Sequence, residues 1–179
     1  MIKIIKDIGV LEEIRELLRN GGEYAYVGPP SKCGTLLVKE NDKWFHIYIN
    51  ESKKPVRLYK KKYSYEDAGS FSEGLAWVRK KGKEFHITPD GKPAYKEKYD
   101  WVGSFSNGVT RVRNNRKEFH IGTDGKPLYK ERFDRVAVFR NGKTWVRINR
   151  SYVFNTNRTV QKNIKEKRFY IGLDGKRIK

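Results

Sequence analysis

The sequence has only one cysteine, Cys33, among its 179 residues. No disulfide can therefore form within the chain, and a cysteine-based zinc site is not expected. No apolar run approaches the roughly 20 residues that a transmembrane helix needs. Because no long apolar segment follows residues 1–7, the sequence predicts no secretory signal either. These absences favour a protein without a membrane span in the reducing cytoplasm.

Acidic residues are scarce after the first part of the chain. Residues 1–40 hold six basic and six acidic residues, whereas the whole chain has 40 basic and 21 acidic residues, for a formal net charge of +19. Residues 140–179 alone contain twelve basic residues and two acidic ones. Such asymmetry indicates an anionic partner, and the alternative is a surface that serves only solubility.

A motif of phenylalanine, two variable residues and glycine recurs at an interval of 34 residues. It begins at Phe71, Phe105 and Phe139. The tripeptide Phe-His-Ile at Phe85 recurs at Phe119 with the same step, and more divergent copies lie around Phe45 and Phe169. Self-similarity at a fixed period identifies a repeat architecture. The copies define segments 31–70, 71–104, 105–138 and 139–179.

Each copy has the pattern of antiparallel strands. Valine, threonine and aromatic residues alternate with charged residues, and pairs such as Lys81-Gly82 and Asp90-Gly91 favour tight turns. Within the last copy, residues 152–160 have the pattern of a hairpin and residues 162–167 that of a basic connector. The predicted fold is mostly β, with about four tandem antiparallel β-hairpin repeats. The period does not decide between an open solenoid and a closed, barrel-like array.

The first 30 residues differ in kind. Apolar residues recur at three-to-four spacing over residues 7–19, which predicts an amphipathic helix. Asp7 is placed to cap its N-terminus, and Gly21-Gly22 are expected to end it. We therefore expect segment 1–30 to form a helix that caps one end of the repeats.

The run over residues 71–134 resembles the bacterial WG-repeat (KWG-repeat) family, and the resemblance extends over about residues 31–179. Units of that family carry a phenylalanine-x-x-glycine-leucine-alanine strand and a hairpin with isoleucine-aspartate-x-x-glycine-lysine. The name-giving Trp-Gly dipeptide is missing here, and its place is taken by Trp44-Phe45, Glu84-Phe85, Glu118-Phe119 and Arg168-Phe169. The resemblance implies β-rich repeats with an interaction role, and neither a catalytic residue nor a particular partner.

The histidines at equivalent repeat positions suggest two kinds of chemistry. His46, His86 and His120 could together bind a metal ion. The last copy has Tyr170 at this position, which favours a structural role for a flat, half-buried ring. Cys33 with His46, or the histidines with Glu84 and Glu118, could in principle serve a nucleophilic enzyme or a small basic nuclease. The repeat itself explains these positions, so the sequence predicts no enzyme, no cofactor and no metal.

The basic residues are the most credible functional feature. Arg79, Arg113 and Arg147 are equivalent in three copies, and the lysines after the turn glycines (Lys92, Lys126 and Lys176) form a second series. Tryptophans and tyrosines are interleaved with them, as in many nucleic-acid-binding proteins. The candidate contacts to an anion are Arg79, Arg113, Arg147, Arg150, Arg158, Lys162, Lys165, Lys167 and Arg168. The sequence predicts a non-catalytic module for an anionic or acidic macromolecule, with a nucleic-acid-binding accessory protein as the alternative.

Overall fold

The computed structural model describes residues 4–60, 65–148, 153–154, 160–161 and 167–178. Nearly all of its regular structure is strand, as the alternation of the sequence predicts. The elements in chain order are α1 Ile8–Asn20, β1 Tyr26–Val27, β2 Thr35–Glu40, β3 Lys43–Ile49, β4 Pro55–Arg57, β5 Asp67–Ala68, β6 Ala76–Lys80, β7 Lys83–Ile87, β8 Trp101–Val102, β9 Val109–Asn114, β10 Lys117–Gly122, β11 Arg135–Val136, β12 Lys143–Ile148, β13 Val153–Phe154, β14 Val160–Gln161 and β15 Lys167–Gly172.

The predicted helix is α1, and its cap is confirmed. The Asp7 side chain accepts a hydrogen bond from the Val10 backbone N–H at 3.0 Å. Leu11 and Ile14 are buried against the first sheet, and the Arg15 side chain donates to the Val27 carbonyl. Within the described parts of the chain, no helix is long and apolar enough to cross a membrane.

The repeats fold into consecutive antiparallel sheets, which confirms the predicted fold class. The first sheet has the order β1-β2-β3-β4, and the next two are β5-β6-β7 and β8-β9-β10. The fourth sheet is β11-β12-β15. Each of the last three sheets therefore combines a two-residue edge strand with a long hairpin. The edge strand of the first sheet, β1, lies within the segment 1–30 that also contains the helix.

The hairpin of the fourth sheet is split by an insertion. Strands β12 and β15 pair with each other, although β13 and β14 lie between them in the sequence and form a two-stranded sheet of their own. Residues 149–166 thus stand where the other copies have a two-residue turn such as Lys81-Gly82. The hairpin predicted over residues 152–160 corresponds to the pairing of β13 with β14, and its turn lies outside the described residues.

One face of each hairpin supplies the apolar core. In β6, Ala76 and Val78 are buried while the intervening Trp77 is half-buried, so the two faces differ as the alternation predicts. On the other face, Glu84 and His86 of β7 form hydrogen bonds to the following sheet. Glu84 on β7 and Tyr99, which lies two residues before β8, form an antiparallel β-bridge between the second and third sheets. Equivalent bridges join Trp44 to Tyr65 and Glu118 to Phe133, so the last strand of each long hairpin pairs with the segment that leads into the next sheet.

Candidate functional site

The three histidines are fully buried links between repeats. Each Nε2 lies 2.8–2.9 Å from a carbonyl oxygen directly after the edge strand of the following sheet, so Nε2 carries the proton and donates. Each Nδ1 then accepts from the hydroxyl of a buried tyrosine at 2.6–2.9 Å. The acceptor carbonyls belong to Gly69, Gly103 and Ala137, and the donor hydroxyls belong to Tyr59, Tyr95 and Tyr129.

This geometry corrects the expectation of half-buried rings. The exposed fraction of the histidines is at most 1%. The phenylalanine of the next Phe-x-x-Gly motif packs on each ring with a centroid distance of 4.5 Å. Burial lowers the pKa of all three histidines to about 4, so they are neutral. Among the described residues, no three His, Cys, Asp or Glu side chains lie close enough together to hold a metal ion.

The acids beside the histidines also have structural partners. Buried Glu84 accepts from the guanidinium of Arg79 and from the backbone N–H of Val102 on β8, the edge strand of the next sheet. Glu118 accepts from the Val136 backbone N–H in the same way. These carboxylates complete the hydrogen bonding of the edge strands β8 and β11. Both are thus occupied in joining one sheet to the next.

Cys33 has hydroxyl neighbours and no histidine at hand. Its Sγ lies 3.0 Å from Ser31 Oγ and 3.5 Å from Thr35 Oγ1. Both nitrogens of His46, the base considered for it, are bonded to Tyr59 and to the Gly69 carbonyl. The structure therefore does not bring the two together as a nucleophile and its base.

Some of the predicted anion contacts are already paired. The Arg79 guanidinium lies 2.5 Å from Glu84 and 3.5 Å from Asp67, and its hydrogen bond to Glu84 is the main reason that its pKa is raised. Lys92, Lys126 and Lys176 each form an ion pair with the aspartate of their own turn. These aspartates also accept the lysine backbone N–H, as expected for turn aspartates. We leave Arg79 and the three lysines out of the candidate site.

Arginines accumulate at one level of the fourth sheet. Arg147 on β12 is the direct partner of Arg135 on β11 and of Arg168 on β15. Because cross-strand partners project on the same face, the three side chains form a row, which we name the terminal arginine rung. Arg135 and Arg168 are exposed and Arg147 is half-buried. Arg135 Nε also lies 3.6 Å from Glu118 of the preceding sheet.

The equivalent rows of the second and third sheets carry acids, whereas that of the first sheet is Tyr26, Lys39 and Trp44. In the second sheet the row is Asp67, Arg79 and Glu84. In the third sheet it is Trp101, Arg113 and Glu118. The side-chain charge of the row thus changes from −1 in the second sheet through zero in the third to +3 in the fourth. Of the other predicted contacts, Arg113 and Lys167 are exposed, and Arg150, Arg158, Lys162 and Lys165 lie outside the described residues.

Two clefts with aromatic walls adjoin the terminal arginine rung. The first cleft has a volume of about 390 Å³ and includes Trp77, Trp101 and Arg111 in its lining. The second cleft, of about 380 Å³, includes Trp145, Tyr170 and Lys143. A smaller depression lined by Trp101, Arg111, Arg113, Glu118 and Arg135 connects the first cleft to the rung. We name the two clefts, this depression and the rung together the aromatic–arginine surface.

Sequence reasoning missed Arg135, Arg111 and Tyr170 as members of this surface. A signal for them exists in the 34-residue step, which aligns Arg135 with Asp67 and Trp101, and Arg111 with Trp77 and Trp145. That alignment alone does not show which face a side chain takes, and the insertion of residues 149–166 shifts Arg168 out of the 34-residue step.

Comparison with known proteins identifies repeats of one kind in the chain. A family model described as "WG containing repeat" matches residues 62–83, 87–117 and 121–152. A comparison with curated proteins gives no match. Among four matching solved chains is KlHsv2 with loop 6CD replaced by a Gly-Ser linker, which is 9% identical with a TM-score of 0.39. The alignment covers 69% of the present chain and 46% of KlHsv2, so the present chain spans less than half the length of that protein.

Proposed function

The chain belongs to the family of WG-containing repeat proteins, and from that premise we propose that it is a non-catalytic module that binds an anionic macromolecule. The binding site is the aromatic–arginine surface at the C-terminal end of the repeats. The histidines and buried glutamates support the non-catalytic part of this proposal, because their polar atoms are engaged in joining the sheets.

The terminal arginine rung carries the proposal. The same row is balanced by Asp67 and Glu84 in the second sheet, and arginines occupy both of these positions in the fourth. Guanidinium groups offer several N–H donors in a planar fork that fits phosphate and carboxylate oxygens. Three of them at neighbouring positions, in a chain of net charge +19, create a local potential that attracts polyanions.

Removing the rung is expected to weaken binding and reduce its dependence on salt. In the triple variant Arg135→Gln, Arg147→Gln and Arg168→Gln, three cations that would neutralise phosphates of a single-stranded RNA or DNA probe are missing. Binding of the probe then releases fewer of the counterions condensed on its phosphates. The slope of log K against log salt should become shallower by about 2 for a single strand. Fluorescence anisotropy with labelled oligonucleotides over a salt series from about 50 to 200 mM measures this slope.

The matched control removes the same charge elsewhere. Lys54, Lys96 and Lys130 are exposed and lie outside the aromatic–arginine surface, so their triple glutamine variant should keep most of the slope. Equal losses in both variants would show that only net charge matters. No binding of any probe at about 50 mM salt, where phosphate contacts are strongest, would count against the function itself.

A further inference from the structure

Resting on the proposed function, we infer that the partner is a single-stranded nucleic acid whose unpaired bases enter the two aromatic clefts. The rung accounts for attraction to an anion of any kind. The clefts add chemistry that a chain of phosphates or carboxylates alone does not use. Their position in consecutive repeats matches a ligand that is itself a chain of repeating units.

The two clefts are equivalent in the repeat. Gly103, Ser104, Val109 and Thr110 of the first cleft stand 34 residues before Ala137, Val138, Lys143 and Thr144 of the second. The corresponding groove of the second sheet is filled, since a Cβ atom on Gly69 would overlap the indole of Trp77. At these equivalent positions of the second to fourth sheets, the groove is therefore open in the third and fourth sheets.

In each cleft a basic side chain lies close to an aromatic ring. In the first cleft the Arg111 guanidinium lies 5.4 Å from the centre of the Trp101 ring, and its Nη1 also donates to the Val136 carbonyl. In the second cleft, Lys143 Nζ lies 5.6 Å from the centre of the Tyr170 ring. Arg168 of the adjoining rung has its guanidinium carbon 5.5 Å from the centre of the Trp145 ring. Tyr170 is 51% exposed. It stands at the position that a buried histidine occupies in the earlier repeats.

This combination is what an unpaired nucleotide requires. Its base stacks on an aromatic ring, while the phosphates on either side are held by arginine and lysine. In a duplex the bases are already stacked and paired, so their faces are closed to such rings. An acidic protein would use the arginines and leave the aromatic clefts without a role. Volumes of 390 and 380 Å³ fall within the range of small-ligand pockets.

The test compares probes that share charge and differ in bases. Anisotropy is measured at about 150 mM salt with a labelled single-stranded oligouridine, an RNA duplex with the same number of phosphates, and polyglutamate of comparable charge. We expect the single strand to bind about tenfold or more tighter than the other two. Tyr170→Ala should weaken the single strand by about fivefold or more without affecting the duplex or polyglutamate, because the exposed ring contributes stacking and no charge.

Two further variants make the result specific. Tyr170→Phe keeps the ring and should bind like the unaltered protein, and Tyr26→Ala removes a comparably exposed tyrosine from the first sheet and should have no effect. Equal affinity for all three probes, with Tyr170→Ala unchanged, would overturn the inference and leave the proposed function standing. Preference for polyglutamate would assign the surface to an acidic protein and overturn it too. Failure of all probes would contradict both.

Discussion

Lowering the pH from about 7.5 to about 5.5 is expected to reduce the free energy of unfolding by about 4 kcal/mol. The cause is the set of three buried, neutral histidines that join the repeats. The pKa of His46, His86 and His120 is about 4 in the folded protein, against about 6.5 in an unfolded chain. Few stability effects that come from ionisation alone reach this size.

The direction follows from the lowered pKa. Below about pH 6.5 the three histidines become protonated in the unfolded chain and stay neutral in the folded one, so acid stabilises the unfolded state. The stability contributed by the neutral histidines is complete above pH 6.5 and is lost as the pH falls towards 4. At about pH 5.5 each histidine accounts for about 1.4 kcal/mol of the loss.

Urea denaturation at several pH values between about 5 and 7.5 measures the effect. The pKa of five carboxylates is lowered, so these groups titrate below this range: Asp42 through Lys39, Glu66 through the Lys81 backbone N–H, Asp90 through Lys92, Asp100 through Lys83 and Asp124 through the Lys126 backbone N–H. The variant His120→Gln should lose about one third of the pH dependence while remaining less stable at every pH. A stability that is flat between pH 5 and 7.5 would contradict the burial of neutral histidines.

Replacing Gly125 by alanine is expected to lower the free energy of unfolding by about 3–4 kcal/mol. Gly125 has a φ of +78°, and a Cβ atom there would lie 2.7 Å from Tyr95 Cβ and closer still to Cγ of that ring. Its carbonyl accepts the Tyr99 hydroxyl at 2.9 Å, so the backbone cannot move away without loss. The contact is between repeats, and the whole array should respond cooperatively.

Gly108 supplies the matched control for this substitution. Its φ of +71° is nearly the same, and nothing lies within 4 Å of the position of its Cβ atom. Gly108→Ala should therefore cost about 1 kcal/mol, the backbone strain alone. Chemical denaturation of both variants separates the two contributions. Equal losses would mean that the glycine–tyrosine packing between repeats contributes nothing.

The repeat fold could be predicted from the sequence because its signals are local. Alternation over five or six residues, glycines at turns and the Asp7 cap each depend on near neighbours, and the step of 34 residues multiplies the signal. The turn between β6 and β7 has positive φ values at both of its residues, +55° at Lys81 and +70° at Gly82, as a two-residue hairpin turn of this kind requires.

The candidate site could be predicted only in part, because it depends on register and on packing between sheets. Arg147 and Arg168 were predicted as contacts and Arg135 was not. Arg135 and Arg168 are 12 and 21 residues away from Arg147 in the sequence and meet it only through strand pairing. The histidine positions were recognised as structural. Their acceptors lie beside the edge strand of the next sheet, 17 residues on for His86, where no local pattern indicates them. The sequence alone therefore does not show which of these distant residues become neighbours through strand pairing.

The most direct test of the account uses the four tryptophans of the chain as reporters. Their indole N–H signals in NMR spectra can be assigned by single Trp→Phe variants and followed while a single-stranded oligonucleotide is added. Trp101 and Trp145 line the two clefts, and Trp44 lies on β3 in the first sheet. We predict that the signals of Trp101 and Trp145 shift on binding and that the signal of Trp44 stays in place. An oligonucleotide that binds while Trp101 and Trp145 remain unchanged, or that shifts Trp44 equally, would contradict the assignment of the aromatic–arginine surface.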